Sequence, residues 1–210
     1  MHRKAILATG VCLLAACLPF LLRSTLTTHA AAFGAPAYAA NGDLLPLANY
    51  REWIYLSSGI DMSYSPTAAG TTSFDNVFVN PEAYRNFLAT GTWPNKTVMV
   101  LEVREAESKG SINQHGHYQG TALLGLEVHV RDEGRFPGGW AFFDFHSPTT
   151  NGKLIPQDAS CYSCHQQHGA VDTTFVQFYP TLLPVAREKK TLSEAFLKEN
   201  SLQAAGTASQ

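Results

Sequence analysis

The most regular pattern in the chain is the alternation of Ala122, Leu124, Leu126, Val128 and Val130, which predicts a half-buried strand, since side chains on an extended backbone point to opposite faces with a period of two. A second such stretch, Trp140 to His146, separates Ala141, Phe143 and Phe145 from Trp140, Phe142, Asp144 and His146. Thr97 to Arg104 sends Val98 and Val100 one way and Met99, Leu101 and Val103 the other, while Phe74 to Val79 is a shorter strand candidate. Helical spacing is sparser. Tyr50, Trp53 and Ile54 share one face of a short helix predicted over Asn49 to Leu56, ending by Gly59. Asn80-Pro81 supplies an N-cap and a first-turn proline for a helix carrying Tyr84, Phe87 and Leu88, closed by Gly91. Between these, Asp61 to Ser73 is rich in Ser, Thr, Ala, Gly and Pro and reads as a loop. Pro180 and Pro184 interrupt any helix after Asp172, Thr191-Leu192-Ser193-Glu194 has the spacing of a capping box, and the tail over 201–210 is expected to be disordered. These elements predict an α+β domain, mainly β, with an antiparallel sheet and short peripheral helices.

The first residues change the picture by setting a compartment. His2, Arg3 and Lys4 precede an apolar run from Ala5 to Leu22, and Ala37-Tyr38-Ala39 has the small-x-small form of a cleavage signal. Residues 1–39 therefore read as a secretory signal peptide, with 40–200 as one domain exported to a periplasm. Two alternatives stand beside cleavage. Leu14-Ala15-Ala16-Cys17 resembles a lipoprotein box, so Cys17 could carry lipid, and the apolar run could remain as a membrane anchor. The presequence contains Cys12 and Cys17, so the domain keeps Cys161 and Cys164 and has no disulfide framework. It also removes Arg3, Lys4 and Arg23, making the formal net charge more negative than the −2 of the whole chain. Such a charge does not point to nucleic acid or to an anionic membrane surface.

The two remaining cysteines belong to Cys161-Tyr162-Ser163-Cys164-His165, the spacing by which haem is attached covalently in c-type cytochromes. Each thiol adds to one vinyl group and His165 is placed to ligate the iron. A zinc site drawing on His115, His117 and His168 is the weaker reading, because His165 follows the thiols directly and no second cysteine pair exists. His115 and His117 fall in a polar loop, and His129 and His146 on the more polar faces of their strands, with a sixth-ligand role for one of these histidines left open. Small helical cytochromes c usually carry this motif early and supply a later methionine as sixth ligand. Here it is late, and Met62 and Met99 both precede it, with Met99 in an apolar strand suited to a core. An open distal side is the consequence.

Tyr50-Arg51-Glu52-Trp53, Val79-Asn80-Pro81-Glu82-Ala83-Tyr84, Thr90-Gly91, Gly125-Leu126-Glu127, Trp140-Ala141-Phe142-Phe143, the haem motif, and Phe175-x-Gln177-Phe178-Tyr179-Pro180 occur in an order and spacing that resemble the cytochrome P460 family, from about Leu45 to Val185. The resemblance implies a predominantly antiparallel β domain, commonly a homodimer, binding one haem c with a proximal histidine. Members include enzymes that oxidise hydroxylamine, and the related cytochromes c′-beta bind nitric oxide. One departure is instructive. Where the P460 enzymes carry a lysine bonded to a haem meso carbon, this chain has Leu101, and Lys96 lies five residues earlier on the opposite face by alternation. The expectation is a haem without the lysine cross-link.

On the distal side, Leu101 would provide an apolar surface, with Phe74 and Phe78 as candidates to cap it. Glu127 and Asp144 are acids within otherwise apolar strands, each needing a partner or a role beside the haem, and are the candidate catalytic acids for removing protons from a bound ligand. Two function classes follow. One is an oxidoreductase of hydroxylamine or nitric oxide. The other is a c′-beta-like protein that binds nitric oxide or passes electrons to a partner protein without turnover.

Overall fold

The computed structural model describes residues 34–47, 49–63 and 70–207, with side chains described as far as residue 202. The apolar presequence run, Cys17 and the end of the tail lie outside the described residues. The alternating stretches build one antiparallel sheet in which every strand pairs with its sequence neighbour: β1 (Ile54–Ile60), β2 (Ser73–Val79), β3 (Val98–Glu107), β4 (Tyr118–Arg131), β5 (Trp140–Asp144) and β6 (Lys153–Leu154). Around it, among the described residues, lie four α-helices, α1 (Pro81–Thr90), α2 (Ser160–His168), α3 (Leu183–Lys189) and α4 (Glu194–Thr207). The fold is thus α+β and mainly β, as the patterning predicts.

Alternation assigns each face of the sheet its own core. Val98 and Val100 of β3, Leu126, Val128 and Val130 of β4, and Ala141 and Phe143 of β5 pack with Leu44, Tyr50 and Trp53 on one face. On the other, Val79, Met99 and Trp140 pack with Ala83 and Phe87 of α1, Trp93, Val176, Leu182 and Ala186 of α3. Asn80 joins β3 to α1 in an unexpected way. Its Nδ2 donates to the Lys96 carbonyl at 3.2 Å and its Oδ1 accepts from Val98 N at 2.9 Å, so the side chain ties the helix start to the sheet rather than capping the helix. Gly91 does end α1, at φ 76°, a left-handed conformation that glycine adopts without penalty.

Four local expectations are corrected. The helix predicted over Asn49 to Leu56 reduces to a single 3-10 turn at Tyr50–Glu52, and Ile54 onward is strand β1, because pairing with β2 outweighs a weak helical spacing. The register shifts between Tyr55 and Ser57, leaving Leu56 as an extra residue and setting Ser57 opposite Val77 on the same face. Pro184 starts α3 instead of preventing it, since a first-turn proline lacks only an N–H that would be unpaired anyway. Ser193, not Thr191, caps α4, its Oγ accepting from Phe196 N at 3.1 Å, and that helix continues past Ser201 to Thr207 into the stretch expected to be disordered.

The start of the described chain is also built into the domain. Tyr38 lies within the expected cleavage signal, yet its ring packs near Phe136 and Phe143, the Arg135 guanidinium sits 4.0 Å over it, and its hydroxyl donates to Asp132 Oδ2 at 3.1 Å. Burial and the Asp132 charge hold the phenol well above its ordinary pKa. Leu44 and Gly152 exchange backbone hydrogen bonds, and Lys153 Nζ meets Asp43 Oδ2 at 2.5 Å, so this strap is fastened along its length.

Candidate functional site

A cavity of about 630 Å³ opens between the sheet and α2, a size usual for small-molecule and cofactor sites. Its sheet wall is mainly the alternate set of residues from each strand: Ser57 and Gly59 from β1, Asp75 and Val77 from β2, Met99 and Leu101 from β3, and Glu127 and His129 from β4 with Val128 between them, and Phe142 from β5. Facing them are Cys161, Cys164 and His165 of α2 and Phe175, Phe178 and Tyr179 beyond it. Residues three and four apart share a helix face, so α2 presents both thiols and the imidazole to the same space. Both cysteines are free and half-buried.

α2 buries none of its own residues, and its position is fixed from outside. Tyr162 OH donates to the Ile155 carbonyl at 3.0 Å and accepts from Phe142 N at 3.2 Å, pinning the helix to β5. Gln177 clamps the other end, its Oε1 accepting from Ala170 N at 3.1 Å and its Nε2 donating to the His168 carbonyl at 2.7 Å. After α2 the chain turns back sharply at Gly169, where a Cβ would stand 2.7 Å from the His165 carbonyl oxygen and 2.9 Å from Thr174 N. The returning segment is anchored by Trp93 Nε1 donating to Thr174 Oγ1 at 2.8 Å and by the Arg131–Asp172 ion pair at 2.9 Å.

That return places the Thr173 carbonyl 2.7 Å from His165 Nδ1. A carbonyl only accepts, so Nδ1 carries the proton and Nε2 holds the lone pair. Burial lowers the His165 pKa, favouring the neutral ring that can act as a metal ligand. Phe175 at 4.2 Å and Phe142 at 4.6 Å between ring centroids fix the ring plane. His129 is buried beside it, stacked on Phe142 at 4.0 Å and 10°, and burial holds its pKa well below the ordinary value, with His165 a lesser cause. The expected polar environment of His129 is therefore wrong, because its strand face is the one covered by α2.

Glu127 faces the cavity, where loss of solvation, then the charges of Asp144 and Asp75, raise its carboxyl pKa. Asp75 is raised too, by burial and by Asp61. Leu101 pairs with Glu127 across the ladder and both line the cavity. Asp144 pairs with Glu127 from β5 but is exposed, outside the cavity lining. Phe74 and Phe78 do not cap the site. Register places Phe78 opposite Val100, on the other sheet face, where its ring meets Tyr50 at 5.7 Å and Tyr55 at 5.8 Å. The same alternation that excludes them brings in Asp75 and Val77, which no local sequence signal marks. Met62 joins the lining from beyond β1. Lys96 is remote from this wall in its bonding, its Nζ 2.6 Å from Asp132 Oδ1, the carboxylate that also receives Tyr38. His117 bonds Ser108 Oγ at 3.0 Å in the β3–β4 loop, and His168 pairs with Glu199 of α4 at 3.1 Å.

No curated protein matches the chain. The cytochrome P460 family model matches residues 47–176, a span that runs from the turn before β1 through the sheet, Leu101, Glu127 and the Cys161 to His165 helix. The chain belongs to the cytochrome P460 family and is a haem cytochrome.

Proposed function

We propose that the protein is an exported mono-haem c-type cytochrome whose distal side admits small nitrogen-oxide ligands, hydroxylamine or nitric oxide. The observation that carries this reading is the joint presence, on one cavity, of Cys161, Cys164 and a neutral, Nδ1-protonated His165 with Leu101 and the carboxyl of Glu127. The donor set suits the cofactor. Cys161 and Cys164 would hold it through two thioethers, and His165 would offer Nε2 to the iron. When bound, the haem iron supplies an open coordination position and a one-electron redox centre. Leu101, Val77 and Met99 make part of the wall apolar. Oxidation of hydroxylamine by an external electron acceptor also releases protons, and Glu127, with its raised carboxyl pKa, is placed to receive one.

A second reading, nitric oxide capture or electron transfer without turnover, is favoured by Leu101, which stands where the resemblance implies a cross-linking lysine. Lys96 does not replace it, being held by Asp132. The presequence signals support a periplasmic location, and the family resemblance supports a homodimer; an electron-transfer partner protein is expected in either reading.

Anaerobic mixing of the haem-loaded protein with hydroxylamine and an electron acceptor separates the two. Steady turnover that collapses in Glu127→Gln selects the enzyme. A stable ferrous nitrosyl on exposure to nitric oxide, with no turnover of hydroxylamine in the wild type, selects the binder.

A further inference from the structure

His129 is an unexpected residue to find behind His165. It is 7 % exposed, lies between Trp140 at 4.3 Å and Phe142 at 4.0 Å, and approaches the His165 ring edge-on at 5.2 Å. Burying an imidazole among aromatic rings costs solvation that a leucine or phenylalanine would not lose, so its polar contact needs a reason. That contact is to Thr173, whose Oγ1 is 3.3 Å from His129 Nε2. Thr173 is the same residue whose carbonyl lies 2.7 Å from His165 Nδ1. One residue thus joins the two histidines, the side chain gripped by His129 and the main chain by His165.

We infer that His129 is a positioning residue for the proximal ligand, holding Thr173 so that its carbonyl keeps a short hydrogen bond to His165 Nδ1–H and thereby sets the basicity of His165 Nε2. The inference rests on the haem reading of His165. Outer partners of a ligating histidine fix its tautomer and ring orientation and raise its basicity. A more basic imidazole favours the oxidised iron, so a looser Thr173 carbonyl should raise the reduction potential. The arrangement also gives β4 two duties. His129 and Glu127, two residues apart, share one strand face about 6.8 Å apart along the chain, so the strand that supports the ligand also carries the cavity acid.

The test uses the haem-loaded protein and two variants, His129→Phe and Thr173→Val, with His129→Gln as the conservative partner. Thr173→Val keeps the carbonyl and nearly the same volume, removing only the hydroxyl that His129 holds. The expected result is an upward shift of the midpoint potential and a lower iron–histidine stretching frequency in both His129→Phe and Thr173→Val, with His129→Gln closer to wild type. Unchanged potential and stretching frequency in Thr173→Val would overturn the inference, whether or not His129→Phe folds, and leave His129 as core packing. A wild-type protein that carries no haem would instead overturn the haem reading itself, an outcome distinct from either.

Discussion

The two faces of the sheet are made by alternate residues of the same strands and have been put to opposite uses. On the closed face, charges are buried only with partners. Glu102, 3 % exposed, meets Tyr50, Arg51 and Arg104, and Asp132, 2 % exposed, meets Lys96 and Tyr38. On the open face, the exposed Glu127 and the half-buried Asp75 have their pKa values raised by lost solvation and by other acids, and burial lowers the pKa of two histidines. Burial of a charge costs energy unless it is paired, so the closed face is arranged for stability while the open face retains groups whose protonation can change. One step along a strand, from Val100 to Leu101, crosses from one use to the other.

The contrast is sharpest where α2 meets the open face. Replacing Cys161 and Cys164 together with serine is expected to abolish haem staining on a denaturing gel, while far-ultraviolet circular dichroism keeps its strand signal, since neither thiol supports the sheet. On the closed face the expectation reverses. Phe143→Ala should lower unfolding free energy by about 3–5 kcal/mol in a denaturant titration, the usual cost of emptying an aromatic core site, with covalent haem still present in the folded fraction. Tyr38→Phe removes one hydrogen bond to Asp132 and should cost about 1 kcal/mol in the same titration. If Tyr38→Phe is neutral, the strap is not part of the closed face in solution.

The smallest effect is expected at Glu127 and concerns pH. Its folded pKa is raised, so the folded state binds its proton more tightly than the unfolded chain does. Stability from this group is therefore present at acid pH and declines as pH rises from the ordinary carboxylate range through the raised value. Glu127→Gln should be slightly more stable than wild type at neutral pH, with the difference closing at low pH in a series of thermal melts. A gap that widens toward low pH would show that the carboxylate is favourably paired, removing the contrast between the faces.

Much of this division can be read from the chain, and the parts that cannot share a cause. β3, β4 and β5 were legible because a period of two survives any tertiary context, and it split Val98 and Val100 from Met99 and Leu101 correctly. Cys161, Cys164 and His165 were legible because attachment chemistry demands that spacing. Alternation alone does not say which face meets the cavity, and bulk misled there: Phe74 and Phe78 looked like a cap, whereas the smaller Asp75 and Val77 line the wall. His129 falls on the more polar face of its strand, and nothing local announces that α2 will cover it. Tyr38 lies inside the expected cleavage signal, and nothing local announces its hydrogen bond to Asp132, 94 residues away. Before β1, the spacing of Tyr50, Trp53 and Ile54 suited a helix, but Ile54 pairs with Val79 of β2.

The most direct test of the open face is an intact mass and peptide map of the protein purified from a host able to attach haem c. One haem, joined to the peptide containing Cys161 and Cys164 by two thioethers, with the peptides bearing Lys96 and Leu101 unmodified, is the predicted result. Free thiols at both cysteines in that host, or a haem additionally bonded to Lys96, would contradict it.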